Sequence, residues 1–150
     1  MNSQLLLASL KAQDANITSL IANLENQKSA IIHNDYNLLE KGIAEEQHIL
    51  NLLGMEEKNR IQIISEIAHQ NSITLNGNSL EQLFSNPKFK LSKDFKELEK
   101  IRRSLKIKVK TVINLNTQLK AVVEYSRSFF KEVLLTVVGT KKNVLVNKRV

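Results

Sequence analysis

Two stretches of this chain space a carboxylate and an imidazole as shared chemistry requires, Glu45-x-x-His48 and Glu66-x-x-His69. Residues three apart on a helix share a face, and two such pairs on different helices hold the metals of carboxylate-bridged di-iron bundles. Here both pairs fall inside one predicted helix. Twenty-one residues separate them, so at a rise of about 1.5 Å they stand roughly 31 Å apart unless the chain doubles back at Gly54. The two histidines are therefore read as solvated, and His33 as the polar residue of a helix break. Glu45 with Glu46, and Glu56 with Glu57, are adjacent on a helix and diverge. The chain has no cysteine, which removes thiolate metal sites and disulfides. It shows no Gly-rich phosphate loop, no nucleophile elbow and no zinc spacing. The residues predict no catalysis, no cofactor and no metal.

The elements that carry these side chains follow from composition and period. One proline, four glycines, no tryptophan and seven aromatics among 150 residues suit long helices and not a sheet with many turns. No stretch approaches the eighteen or more apolar residues of a membrane span, and "MNSQLLLASLKAQD" lacks the basic start and long apolar core of a signal peptide. The expectation is a soluble protein, compatible with the cytoplasm, without membrane insertion.

Positions 6, 10, 13, 17, 20, 24, 27 and 31 read Leu, Leu, Gln, Ile, Leu, Leu, Gln, Ile, a 3-4 spacing that predicts a coiled-coil-like helix over about residues 3 to 32. "HNDY" breaks it, and Asn34 or Asp35 can cap a second helix over about 35 to 70, with Leu39, Ile43, Leu50, Leu53, Ile61, Ile64 and Ala68 as its stripe. Next, Asn78 with Glu81 resembles a capping box for one short helical turn, and Pro87 forbids a continuous helix. Ser92 is the expected N-cap of a last helix over about 92 to 138, Asp94 suits its first turn, and Gly139 suits its end. The predicted fold is all-α, an elongated antiparallel bundle of three long helices with a short helical turn before the last one. Leu10, Ile17, Leu24, Leu50, Ile64, Leu105, Val112 and Leu119 are expected in its shared seam. One domain over 1–139 and a flexible basic tail over 140–150 complete it.

Charge is unevenly placed. Residues 1 to 50 carry three lysines against six acids, a net −3, which leaves +10 for the other hundred residues since the whole carries +7. Much of it lies from Lys88 to Lys110. Lys106, Lys108 and Lys110 point to different sides of a helix, and no aromatic platform accompanies them. A solvating or intramolecular role is expected there; binding of nucleic acid through phosphates, and a structural coiled-coil subunit, are the alternatives.

The chain then crowds Phe129, Phe130, Val133, Leu134, Val137 and Val138 near its end. A last helix of about 47 residues spans roughly 70 Å against about 54 Å for the second, so its end is expected to overhang the bundle by roughly ten residues. The apolar arc there is wider than a two-helix seam requires, which suits a groove wall, while Lys131 lies opposite and stays in water.

The order of these pieces carries a resemblance. An opening helix, then "HNDYNLLEKGIAEEQHILNLL", then "SLEQLFSNP", then "VINLNTQLKAVVEYSRSFFKEVLLTVVG" resembles the FlgN family of type III flagellar export chaperones, over roughly residues 5 to 139. Asp35 with Leu38 matches the family's turn before its second helix, and Leu115-Asn116 followed by Val122-Val123 matches its leucine-asparagine segment. Leu119 stands where the family often has a second asparagine. The resemblance implies a helical cytoplasmic chaperone that binds the C-terminal segments of flagellar hook-associated proteins, prevents their early assembly and delivers them to the export gate, with no cofactor or nucleotide. Leu119, Val122 and Val123, with Phe129, Phe130, Val133, Leu134, Val137 and Val138, make the expected partner-binding face. A monomer and a homodimer are both compatible with these residues.

Overall fold

A computed structural model describes residues 2–77 and 80–138, the side chains of Phe130 and Val138 excepted. Asn78, Gly139 and the tail over 140–150 lie outside the described residues, and with them the capping box, the helix end and the flexibility expected there. The chain forms α1 (Ser3–Ile32), α2 (Tyr36–Gln70), α3 (Leu80–Ser85), α4 (Pro87–Lys90) and α5 (Phe95–Val138), with no strand among the described residues.

The two breaks between long helices share one device. After α1, Asn34 takes a φ of 54°, and the N–H groups of Asn34 and Asp35 return to the carbonyls of Ile31 and Ala30 at 3.2 and 2.9 Å. Ser72, at φ 51°, closes α2 in the same way, with the N–H groups of Ser72 and Ile73 donating to His69 and Ala68 at 3.3 and 2.8 Å. Both are Schellman closures made without glycine, and the second buries Ile73 with Ala68. The Asp35 carboxylate then accepts the Leu38 N–H at 3.1 Å, capping α2. Pro87 begins α4 instead of merely ending α3, because Asn86 caps it through the Lys88 N–H at 2.9 Å and proline lacks only an N–H that has no helical partner at that position. Ser92 is not the side-chain cap expected: its hydroxyl is buried without a partner among the described residues. The Asp94 carbonyl takes the Leu98 N–H at 2.9 Å.

Helix α1 is the axis of the fold, and both other long helices pack along it. Its bonds to α2 join Gln13 to Glu57 and Gln27 to Glu46, so that pair runs antiparallel. Its bonds along the other flank join Ser3 to Asp94, the residue just before α5, and Asp14 to Ser104 and Lys28 to Gln118 within it, so α1 and α5 run in the same direction. One buried cluster joins Leu6, Leu10, Ile64, Ile67, Leu83, Phe89 and Leu98; a second joins Leu20, Leu24, Ile49 and Leu115. Each such side chain contributes about 1.5–3 kcal/mol by leaving water. The segment before α5 supplies two rings and α5 a third: Phe84 and Phe89 lie 5.4 Å apart, and Phe89 meets Phe95 edge-on at 6.0 Å.

The seam differs from expectation on α2. Leu10, Leu24 and Ile64 are buried and Ile17, Leu105, Val112 and Leu119 half-buried, but Leu50 is exposed. Ile49, with Leu53 packed beside it, takes its place. The reason is polar. Near the α1–α2 turn the contact row of α1 presents Asn23 and Gln27, and Gln27 Nε2 donates to Asn23 Oδ1 at 2.7 Å and to Glu46 Oε2 at 2.9 Å. Asn23 Nδ2 donates to the Gly42 carbonyl at 3.0 Å. The contact therefore follows Gly42 and Glu46, which turns Ile43 and Leu50 aside.

Candidate functional site

The carboxylate–imidazole pairs come to nothing shared. Glu45, His48, Glu66 and His69 are all exposed along one helix, and Glu66 accepts from Gln62 at 3.2 Å. Among the described residues no group of three or more His, Cys, Asp or Glu could hold a metal ion, and no helix is long and apolar enough to cross a membrane.

The basic segment divides by face. Lys108 turns to α1, donating to Asp14 Oδ2 at 2.8 Å and to Thr18 Oγ1 at 2.9 Å. Arg102 lies over the Phe84 ring, 5.2 Å from its centroid, and Arg103 pairs with Glu99 at 3.2 Å. Lys96, Lys100, Lys106 and Lys110 are exposed, without an ion pair among the described residues.

The apolar end of α5 is set by register. Contacts between α1 and α5 join residues separated by 86 to 94 positions, and Lys28 meets Gln118. The last residue of α1, Ile32, therefore falls level with Val122, and α5 runs on to Val138. That is about 24 Å beyond α1, longer than the ten residues expected, because the expectation was measured against α2, of 35 residues, whereas α5 lies along α1, which has only 30. The row of α5 that covers α1 through Leu115 and Leu119 continues as Val122, Ser126, Phe129 and Val133. Past α1 it loses its cover: Phe129 is 58% exposed, Val133 42% and Val137 78%.

Of the expected face, Leu119, Val122 and Leu134 are half-buried, Val123, Phe129, Val133 and Val137 are exposed, and the Phe130 and Val138 side chains lie outside the described ones. Lys131 is exposed, as expected. Where the cover ends, a groove of about 460 Å³ opens between Ile31, Ile32 and Asn34 on one side and Val122, Tyr125 and Phe129 on the other. Tyr125 stacks on Phe129 with ring centres 6.4 Å apart. Sequence reasoning missed Tyr125, although it stands four residues before Phe129 and so on the same side. It missed Ile31 and Ile32 because their place beside α5 depends on a register between distant segments.

Fold and surface together define a helical protein whose central seam is longer on one helix than on its neighbours, with an apolar groove where the neighbours stop. Compared with known families, residues 1–146 match the model of the family described as FlgN protein. The chain belongs to the FlgN family, the flagellar export chaperones. Searches of curated proteins and of solved structures returned no match.

Proposed function

We propose that this protein is the cytoplasmic export chaperone of flagellar hook-associated proteins. It binds their C-terminal segments, keeps them from assembling early and delivers them to the type III export gate, working by binding alone, without a cofactor. Residues 1–139 act as one domain, an elongated bundle of α1, α2 and α5. The client helix lies on the overhang and on the turn of α5 just before it, against Leu119, Val122, Val123, Phe129, Phe130, Val133, Leu134, Val137 and Val138. The observation that carries this reading is the continuation of the α1-covering row past α1, where Phe129 and Val133 are about half exposed. A side chain of that size releases about 1.5–3 kcal/mol when a partner helix covers it.

The test is the double substitution Phe129→Ser and Val133→Ser, measured for melting temperature and for binding of a hook-associated protein's C-terminal segment. The reading expects binding lost with the melting temperature held. Collapse of the fold would make these residues ordinary core, and unchanged binding would put the client elsewhere.

A further inference from the structure

Two rows of side chains, one on α2 and one on α5, are covered at one end and bare at the other. Seven-residue steps stay on one face of a supercoiled helix, and on α2 they join Tyr36, Ile43, Leu50, Glu57 and Ile64. Ile64 is fully buried, in one cluster with Ile73, Leu83 and Phe89, whereas Leu50, Ile43 and Tyr36 are 44%, 52% and 75% exposed. On α5 the same steps join Phe95, Arg102, Val109, Asn116 and Val123. Phe95 packs on Phe84 at 5.8 Å and Arg102 lies over that ring, but Val109, Asn116 and Val123 are exposed. Ile73, Leu83, Phe84 and Phe89 thus fill one end of the place beside α1 that a fourth helix would take. Above it, both walls stand uncovered.

We propose that the open part of this slot seats an amphipathic helix of another protein, aliphatic on its inner face and acidic along the edge that meets α5. Tyr36 to Leu50 and Val109 to Val123 each span fourteen residue steps, about 21 Å, so the slot takes about four helical turns. Its α5 wall carries Lys106 and Lys120 one seven-residue step to either side of exposed Ile113, with Lys110 beside them. None of the three has an ion pair among the described residues. The α2 wall carries exposed Glu40 instead, which assigns the carboxylate edge to α5. A helix in register matches both the lysines and the aliphatic side chains. Nucleic acid would leave the aliphatics bare and finds no aromatic among these lysines on which to stack; a membrane surface needs the continuous apolar sector that Asn116 and the lysines interrupt. The slot shares only Val123 with the client face proposed above, and neither reading depends on the other.

The probe is a synthetic helix of about three heptads with Leu and Ile on its inner face and Glu on its edges, beside a twin with Lys for Glu. Fluorescence anisotropy is read on the full chain, its Lys106→Glu/Lys120→Glu variant and its Phe129→Ser/Val133→Ser variant. The Glu helix binds the native chain, the double charge reversal weakens it by about tenfold or more and gives the Lys helix binding it lacked, and the overhang variant leaves the Glu helix unaffected. That gain is a result no misfolded variant would give. The proposal falls if the Glu and Lys helices bind the native chain alike, if the Glu helix fails to bind it, or if only the overhang variant loses the Glu helix. It falls equally if a single-stranded oligonucleotide or an anionic vesicle binds at these lysines where the Glu helix does not.

Discussion

Gly42 and Gly54 stand on one helix, and changing each to alanine should move stability in opposite directions. Glycine inside a helix costs about 1 kcal/mol relative to alanine. At Gly54 a new Cβ meets nothing within 4 Å, so Gly54→Ala should stabilise by about 0.5–1 kcal/mol. At Gly42 the Cβ would lie 2.9 Å from Gln27 Cγ. Gln27 cannot yield freely: it is 3% exposed, and its amide holds Asn23 Oδ1 and Glu46 Oε2 at 2.7 and 2.9 Å. Turning it aside breaks bonds worth about 1 kcal/mol each and leaves buried polar atoms unmatched, a further cost of about 1–3 kcal/mol. Set against the gain in helix propensity, Gly42→Ala should destabilise by about 1–3 kcal/mol. In a chain of this length each 1 kcal/mol shifts the melting temperature by about 3 °C, so circular dichroism melts resolve the two signs. Gln27→Ala supplies the control, since alanine has no Cγ: in that background Gly42→Ala should stabilise, as at Gly54, giving a coupling of at least about 1 kcal/mol. A Gly42→Ala chain that is stabilised equally in both backgrounds would refute the close approach of α1 and α2 on which this rests.

Leu98→Ala, at a fully buried site, should cost about 2–4 kcal/mol in urea titrations, and Leu105→Ala, half-buried, clearly less; the reverse order would mean that α5 presents a different face. Asp14→Ala removes acceptors of the Ser104 hydroxyl and Lys108 ammonium and should lower stability by about 1–2 kcal/mol, whereas a loss below about 0.3 kcal/mol would show that solvent replaces both bonds.

The three long helices were legible because breakers and period act locally. "HNDY" and "SNP" punctuate the chain, and the 3-4 stripe of α1 placed even its glutamines, Gln13 and Gln27, in the buried row. Packing was less legible where a polar contact outbid an aliphatic one. Leu50 looks like seam from its own helix alone; only the partners Asn23 and Gln27, brought opposite Gly42 by folding, show why Ile49 takes that place. Ser92 reads as a cap by residue type, yet a cap depends on backbone geometry that Asp94 provides. The apolar end of α5 was visible as a face, whereas its distance beyond α1 depends on a register fixed by pairs such as Lys28 and Gln118.

The parallel pairing of α1 with α5 also sets an order in time. Partners across the α1–α2 hairpin lie 15 to 44 residues apart in the chain, but those across α1 and α5 lie 86 to 94 apart. A nascent chain can close the hairpin as soon as α2 is made, while the other flank of α1 waits for α5. At about 5–20 residues per second, the roughly 70 residues from Gln70 to Val138 take several seconds to synthesise. Until α5 arrives, the cluster of Leu6 and Leu10 lacks Leu98 and that of Leu24 lacks Leu115. The closing of distant ends should therefore set the folding rate, and the early hairpin is the species most prone to stray association.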